Sequence, residues 1–193
     1  MVHPSQRRGR QRNQLRIIGG EWGGRKFRFP DIPGLRPTPD RIRETLFNWL
    51  QPVIDGARCL DLFAGSGALS LEALSRGAVE AVIVDRDKRS INNLRKIVEE
   101  VDSERTTLIH CDYNDYLQRG VRQFDIIFLD PPYGKGMLED CCRKLESGGW
   151  LANNARIYLE EGSHLGEPQL PDNWSYEKTK QAGQVGYYLA VRE

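Results

Sequence analysis

Four short runs in this chain combine residue types and spacings that could do chemistry. The most specific is Asp130-Pro131-Pro132-Tyr133, which follows an apolar stretch at 124–130. Each proline locks φ and removes an N–H, so the pair is costly within a sheet and must lie past its C-terminal edge. The rigid carbonyl there and the Asp130 carboxylate can converge as two acceptors. A flat exocyclic amine needs such a site, because it donates two hydrogen bonds while its lone pair stays free to attack. Tyr133 can stack on the plane of a base. A second run, Asp61 followed by Phe63-Ala64-Gly65-Ser66-Gly67, reads as a glycine-rich turn between a strand and a helix. Glycines let backbone approach a ligand closely, and a helix N-terminus offers free N–H groups. Asp85, with Arg86 beside it, stands 20 residues after Gly65. A carboxylate there can accept from both hydroxyls of a ribose. Asp112-Tyr113 follows the next strand, where Asp112 either faces a ligand or caps a short helix.

Two nucleotide-binding readings of the glycine turn fit less well. A dinucleotide fingerprint wants Gly or Ala at the position of Ser70, and a phosphate-binding P-loop wants a lysine after the last glycine.

These residues need a frame that gathers strand ends on one edge. Strands are expected at 59–63, 81–85, 106–110, 124–130 and 157–161, with helices at 68–76, 87–101, 114–119 and 137–145 between them. Asp87 is the expected cap of the 87–101 helix. Such alternation predicts an α/β fold with a mostly parallel sheet and helices on both faces. Two runs at 174–180 and 185–191 predict a C-terminal antiparallel hairpin. Ahead of this frame, 15–20 and 25–29 predict a small β-hairpin. A helix then opens with Thr38 as N-cap and Pro39 at its first position. Ile42, Leu46, Trp49, Leu50 and Val53 recur at helical spacing as its core face, and Arg41, Glu44 and Asn48 share another. The expected organisation is a basic arm at 1–14, a hairpin-and-helix extension at 15–54, and a catalytic domain at 55–193.

Charge is divided along the chain. Residues 1–50 carry 11 Lys+Arg against 4 Asp+Glu, while the whole molecule is only +1. That asymmetry points to a polyanionic partner for the basic end. Arg7, Arg8, Arg10, Arg12, Arg16, Arg25 and Lys26 are the expected phosphate contacts, with Arg41 and Arg43 nearer the pocket mouth. The alternative is that Arg41 and Arg43 pair with Glu44 and Asp40 on the helix surface. The 193 residues carry no apolar run of membrane-spanning length and no secretory leader. Cys59, Cys111, Cys141 and Cys142 lack a metal-binding spacing and read as free thiols of a reducing cytoplasm.

The Asp61…FAGSG run resembles the first motif of class I S-adenosylmethionine-dependent methyltransferases, a Rossmann-like fold. Joined to DPPY, it is similar to amino-methyltransferases. Further runs narrow the resemblance: Arg16-Ile17-Ile18-Gly19-Gly20, Trp22-x-Gly24-Arg25-Lys26, Gly34-Leu35-Arg36-Pro37-Thr38-x-Asp40-Arg41-x-Arg43-Glu44-Thr45-Leu46-Phe47-Asn48-Trp49-Leu50, and Glu72-Ala73-Leu74-Ser75-Arg76-Gly77. Together they resemble the RsmD family from about residue 15 onward. DPPY stands where some relatives have phenylalanine, and the aromatic face is kept. The resemblance implies methylation of the exocyclic N2 amine of one guanine in 16S rRNA, with the assembling small ribosomal subunit as substrate. It implies S-adenosylmethionine as cofactor, held by Asp61, Phe63, Ala64, Gly65, Ser66, Gly67, Asp85, Arg86, Asp112 and Tyr113. Asp112 would accept from the adenine amino group. Asp130, Pro131, Pro132 and Tyr133 would form the catalytic site. No metal is expected, since the leaving group is already a neutral thioether. The amine's proton goes to Asp130 or to water. Two alternatives remain: a DNA adenine or cytosine amino-methyltransferase, which usually carries a larger sequence-reading domain, and a non-catalytic rRNA-binding assembly factor.

Overall fold

A computed structural model describes residues 13–33, 35–101 and 104–193. The arm residues Arg7, Arg8, Arg10 and Arg12 lie outside the described residues. In chain order the elements are β1 (Gln14–Arg16), β2 (Lys26–Arg28), α1 (Asp40–Leu50), β3 (Arg58–Asp61), α2 (Ala68–Ser75), β4 (Glu80–Asp85), α3 (Lys88–Val101), β5 (Thr106–His110), α4 (Tyr113–Leu117), β6 (Phe124–Leu129), α5 (Met137–Ser147), β7 (Leu151–Gly162), β8 (Trp174–Ala182) and β9 (Val185–Arg192). β1 and β2 pair antiparallel. The rest form one seven-stranded sheet in the order β5-β4-β3-β6-β7-β9-β8. The first five of those strands run parallel, and β9 is antiparallel to both β7 and β8.

The apolar run of β6 is continuous because both of its faces are covered. Ile126 and Phe128 point to a core shared with α1, α2 and α3. Ile127 and Leu129 point to a second core with α4 and α5. The order reverses between β3, which leads to β4, and β6 on its other side. Open α/β sheets bind ligands outside the carboxyl ends at such a switch point.

The N-terminal extension packs on the same core through Leu15, Ile17, Trp22 and Phe27. Its anchor is Glu72 of α2, which is fully buried. The Glu72 carboxylate accepts from the backbone N–H groups of Ile18 (2.8 Å) and Gly19 (2.9 Å) and from Arg76 Nε (2.7 Å). It also pairs with Arg43 at 3.3 Å. Gly20, at φ 77°, brings the hairpin loop so close to α2 that a Cβ would meet the Ser75 carbonyl oxygen at 1.8 Å.

Beyond shifts of a few residues at element ends, such as β1 ending at Arg16 and β3 at Asp61, three departures from expectation bear on packing. α1 opens one residue late, with Pro39 at the cap position and no side-chain cap bond. The Thr38 carbonyl instead accepts from Arg43 Nε at 3.1 Å. Val53 is 37% exposed rather than on the core face, because the chain turns after Leu50. β7 begins six residues earlier than its apolar run, and its register with β6 shifts between Phe124 and Ile126, near Asn154 at φ 59°. Among the described residues no helix is long and apolar enough to cross a membrane.

Candidate functional site

The carboxyl ends of the parallel strands open onto a cleft of about 980 Å³. Its lining brings together Asp61, Phe63–Ser66, Asp85, Arg86, Asp112, Tyr113 and the whole of Asp130–Tyr133.

The glycine turn is braced from within. Asp61, buried at the end of β3, accepts from Ser70 Oγ at 2.6 Å and from the Phe63 N–H at 3.3 Å. Ser70, which broke the dinucleotide fingerprint, is thus the residue that holds Asp61. Burial pushes the Asp61 carboxyl up to about 7, against the lowering effect of those two hydrogen bonds. Asp85 accepts from the Gly65 N–H (2.6 Å) and the Asp87 N–H (2.7 Å), so it ties β4 to the glycine turn. Burial raises its proton affinity, and the two N–H donors oppose the rise. Each Asp85 oxygen keeps a second lone pair for a ribose hydroxyl. Asp87 accepts from the Arg89 N–H (2.8 Å) at the start of α3, as a cap does. Gly65 adopts φ 53°, and a Cβ there would meet Leu35 Cδ1 at 2.7 Å. A side chain at position 65 would therefore collide with Leu35 and strain the turn.

Asp112 caps α4 by accepting from the Asn114 N–H at 2.9 Å. It also lines the cleft, so the cap and ligand readings are compatible. Tyr113 packs its ring 5.2 Å from that of Phe63 and donates to Asp140 at 3.0 Å. Gly67 lies at the base of the turn. It is absent from the cleft lining and its φ of 76° forms the turn into α2, where a Cβ would meet Leu94 at 2.3 Å. It forms the tight turn into α2 and packs against that helix's neighbour α3.

Asp130 stands apart from these. No described residue donates a hydrogen bond to it, and it forms no ion pair among them. Burial, then the negative charges of Glu160 and Asp61, raise its proton affinity well above the usual carboxylate range. Tyr133 is 39% exposed, with its hydroxyl donated to Glu160 at 2.5 Å.

The proposed phosphate contacts divide. Arg16, Lys26 and Arg41 are exposed. Arg25 is exposed and pairs with Glu100 at 3.0 Å. Arg43 is a correction: it is 0% exposed and cannot reach a phosphate. It pairs with Asp40 (2.6 Å) and Glu72, and donates to the Arg16 carbonyl (2.8 Å). The alternative pairing with Asp40 is therefore the one observed, within a buried network.

Several lining residues escaped the sequence reading. Leu35, Arg36, Thr38 and Pro39, from the proline-rich stretch, form one wall. Glu160 lines the cleft beside Tyr133. Its signal was available, since it ends an apolar strand just as Asp61 and Asp85 do. Among the described residues no three His, Cys, Asp or Glu side chains gather to hold a metal ion.

Comparison with known proteins places the chain among relatives. A family model described as Conserved hypothetical protein 95 matches residues 15–191. The chain is 48% identical over 180 residues to Ribosomal RNA small subunit methyltransferase D of Escherichia coli strain K12, covering 93% of this chain and 91% of that protein. It is 42% identical to the protein of the same name from Haemophilus influenzae, covering 92% and 94%. The solved structure of yhhF from Escherichia coli matches with a TM-score of 0.88 at 46% identity, covering 93% of this chain and 98% of that one.

Proposed function

The chain belongs to the Conserved hypothetical protein 95 family, the RsmD family that its motifs resemble, and on that premise we propose that it methylates the exocyclic N2 amine of one guanine in 16S rRNA. The observation that carries this reading is Asp130: a half-buried carboxylate beside two prolines and an exposed aromatic ring, with no donor of its own among the described residues.

S-adenosylmethionine is the cofactor, and when bound it supplies an electrophilic methyl group whose leaving group is a neutral thioether. The main chain of Ala64–Ser66 and the side chains of Asp85, Arg86, Asp112 and Tyr113 would hold it, with Phe63 packed beside Tyr113. Asp61 keeps the glycine turn in shape through Ser70 and the Phe63 N–H. On the target side, Tyr133 stacks on the guanine ring and stops it from rotating. Asp130 and the rigid carbonyl of the DPPY run accept the two N–H groups of the amine, which aims its lone pair along the line of attack. As the nitrogen bonds to the methyl carbon it gains positive charge, and a carboxylate in low dielectric stabilises that charge. The raised proton affinity of Asp130 suits it to take the proton the amine then loses.

Arg16, Arg25, Lys26 and Arg41 supply phosphate contacts, joined by Arg7, Arg8, Arg10 and Arg12 of the arm. The assembling small subunit in the cytoplasm is the substrate particle.

The test is mass spectrometry of 16S rRNA nucleosides. Small subunits from a strain lacking the family's enzyme are incubated with the protein and S-adenosylmethionine. One N2-methylguanosine gained per 16S chain is expected. A methyl group on adenine or cytosine, or none at all, would reject the proposal.

A further inference from the structure

We propose that Glu160 and Glu161, at the end of β7, are positioning residues that hold the Tyr133 ring where the target base must stack; the proposal rests on the reading of Asp130–Tyr133 as the target site. Glu160 is 3% exposed and has no cationic partner among the described residues. Its carboxylate instead accepts two phenol hydroxyls, from Tyr133 at 2.5 Å and from the fully buried Tyr158 at 2.7 Å. Glu161 accepts from the Gly134 N–H at 3.2 Å and from the Gly162 N–H at 2.9 Å. The strand end thus grips the DPPY loop at two points, the tip of the ring and the amide that follows it. Pro131 and Pro132 fix the chain ahead of the ring.

Packing alone gives no reason for this arrangement. A buried carboxylate without a cation is costly, and Asp130 nearby adds like-charge repulsion. An apolar side chain at position 160 would fill the space at lower cost. Tyr133, in turn, is too exposed to be held by burial. A ring that must present a flat face to a flipped base needs a fixed angle, and small misplacement of a reacting group costs rate rather than binding. In this chain the hydroxyl of Tyr133 is therefore the handle by which β7 sets the ring, a handle that relatives with phenylalanine at this position lack.

The test measures kcat and KM on unmethylated small subunits, with S-adenosylmethionine affinity measured separately by calorimetry. Tyr133→Phe keeps the ring and removes the handle. It should lower kcat roughly tenfold, with KM for the particle and cofactor affinity within about twofold. Glu160→Gln should do the same, and the Tyr133→Phe/Glu160→Gln double variant should be no worse than the poorer single variant. Wild-type kcat in Tyr133→Phe, or losses that multiply in the double variant, would overturn the proposal. If Glu160→Gln does not fold, Tyr133→Phe and Glu161→Gln decide the matter. Activity that survives in Tyr133→Phe but disappears in Asp130→Asn rejects the handle and leaves the target site standing. Full activity in Asp130→Asn rejects the target site itself.

Discussion

On one side of the cleft, Asp61 accepts from Ser70 and the Phe63 N–H, and Asp85 accepts from the N–H groups of Gly65 and Asp87. On the other side, Asp130 accepts from no described residue, although it too ends a parallel strand of the same sheet. In the proposed reading the cofactor half holds its own shape, because its carboxylates are bound to the turn that they stabilise. The proposed target half leaves its main acceptor without a donor among the described residues. Like carboxylates at like positions therefore divide into braces and a waiting ligand, and the hydrogen-bond inventory distinguishes them where residue type does not.

The comparison predicts that damage to the braced half appears in cofactor affinity. Gly65→Val should have the largest effect. A β-branched residue at φ 53°, with its Cβ against Leu35, would distort the turn and weaken S-adenosylmethionine binding on the order of a hundredfold. Calorimetry reads this directly, and an unchanged dissociation constant would move the pocket elsewhere. Asp85→Ala removes two backbone tethers together with the ribose acceptor. It should cost about 2 kcal/mol of binding, roughly thirtyfold in affinity. A loss below threefold would mean that Asp85 only braces the chain.

Asp61 gives a pH signature. Its carboxyl titrates near 7 instead of near 4, so it is mostly protonated at pH 6 and mostly ionised at pH 8. A cationic cofactor favours the ionised form. Affinity should therefore rise by up to about tenfold between pH 6 and pH 8, and the rise should shrink in Asp61→Asn. Equal pH slopes for the two proteins would remove Asp61 from the binding step. The smallest effects belong outside the cleft. Lys26→Ala and Arg41→Ala should each weaken binding of the ribosomal particle only a few-fold, reduce the salt slope by about one, and leave cofactor affinity unchanged. Unaltered salt slopes would show that these cations do not meet phosphate.

Much of the frame was legible because burial writes itself into period and punctuation. The β6 run, Pro131-Pro132 past its end and the acids closing β3 and β4 are each local signals. What escaped depended on partners distant in the chain. Arg43 reads as an exposed helix cation, but its partner Glu72 lies 29 residues on, and the pair is buried together. Gly67 shares a motif with Gly65, yet only the fold shows that it packs against Leu94. Glu160 carried the same strand-end signal as Asp85, but its weight comes from two tyrosines that only the fold brings to it. The proline-rich wall offers no period at all, so its place beside Gly65 was not readable.

The most direct test of the division between a braced half and a waiting acceptor is a single-turnover methylation rate for Asp130→Asn, with its S-adenosylmethionine affinity measured alongside. Asparagine keeps the size of the side chain and loses the charge. The rate should fall on the order of a hundredfold or more, while cofactor affinity stays within about twofold of wild type. A near wild-type rate, or a rate loss explained entirely by weaker cofactor binding, would contradict the account.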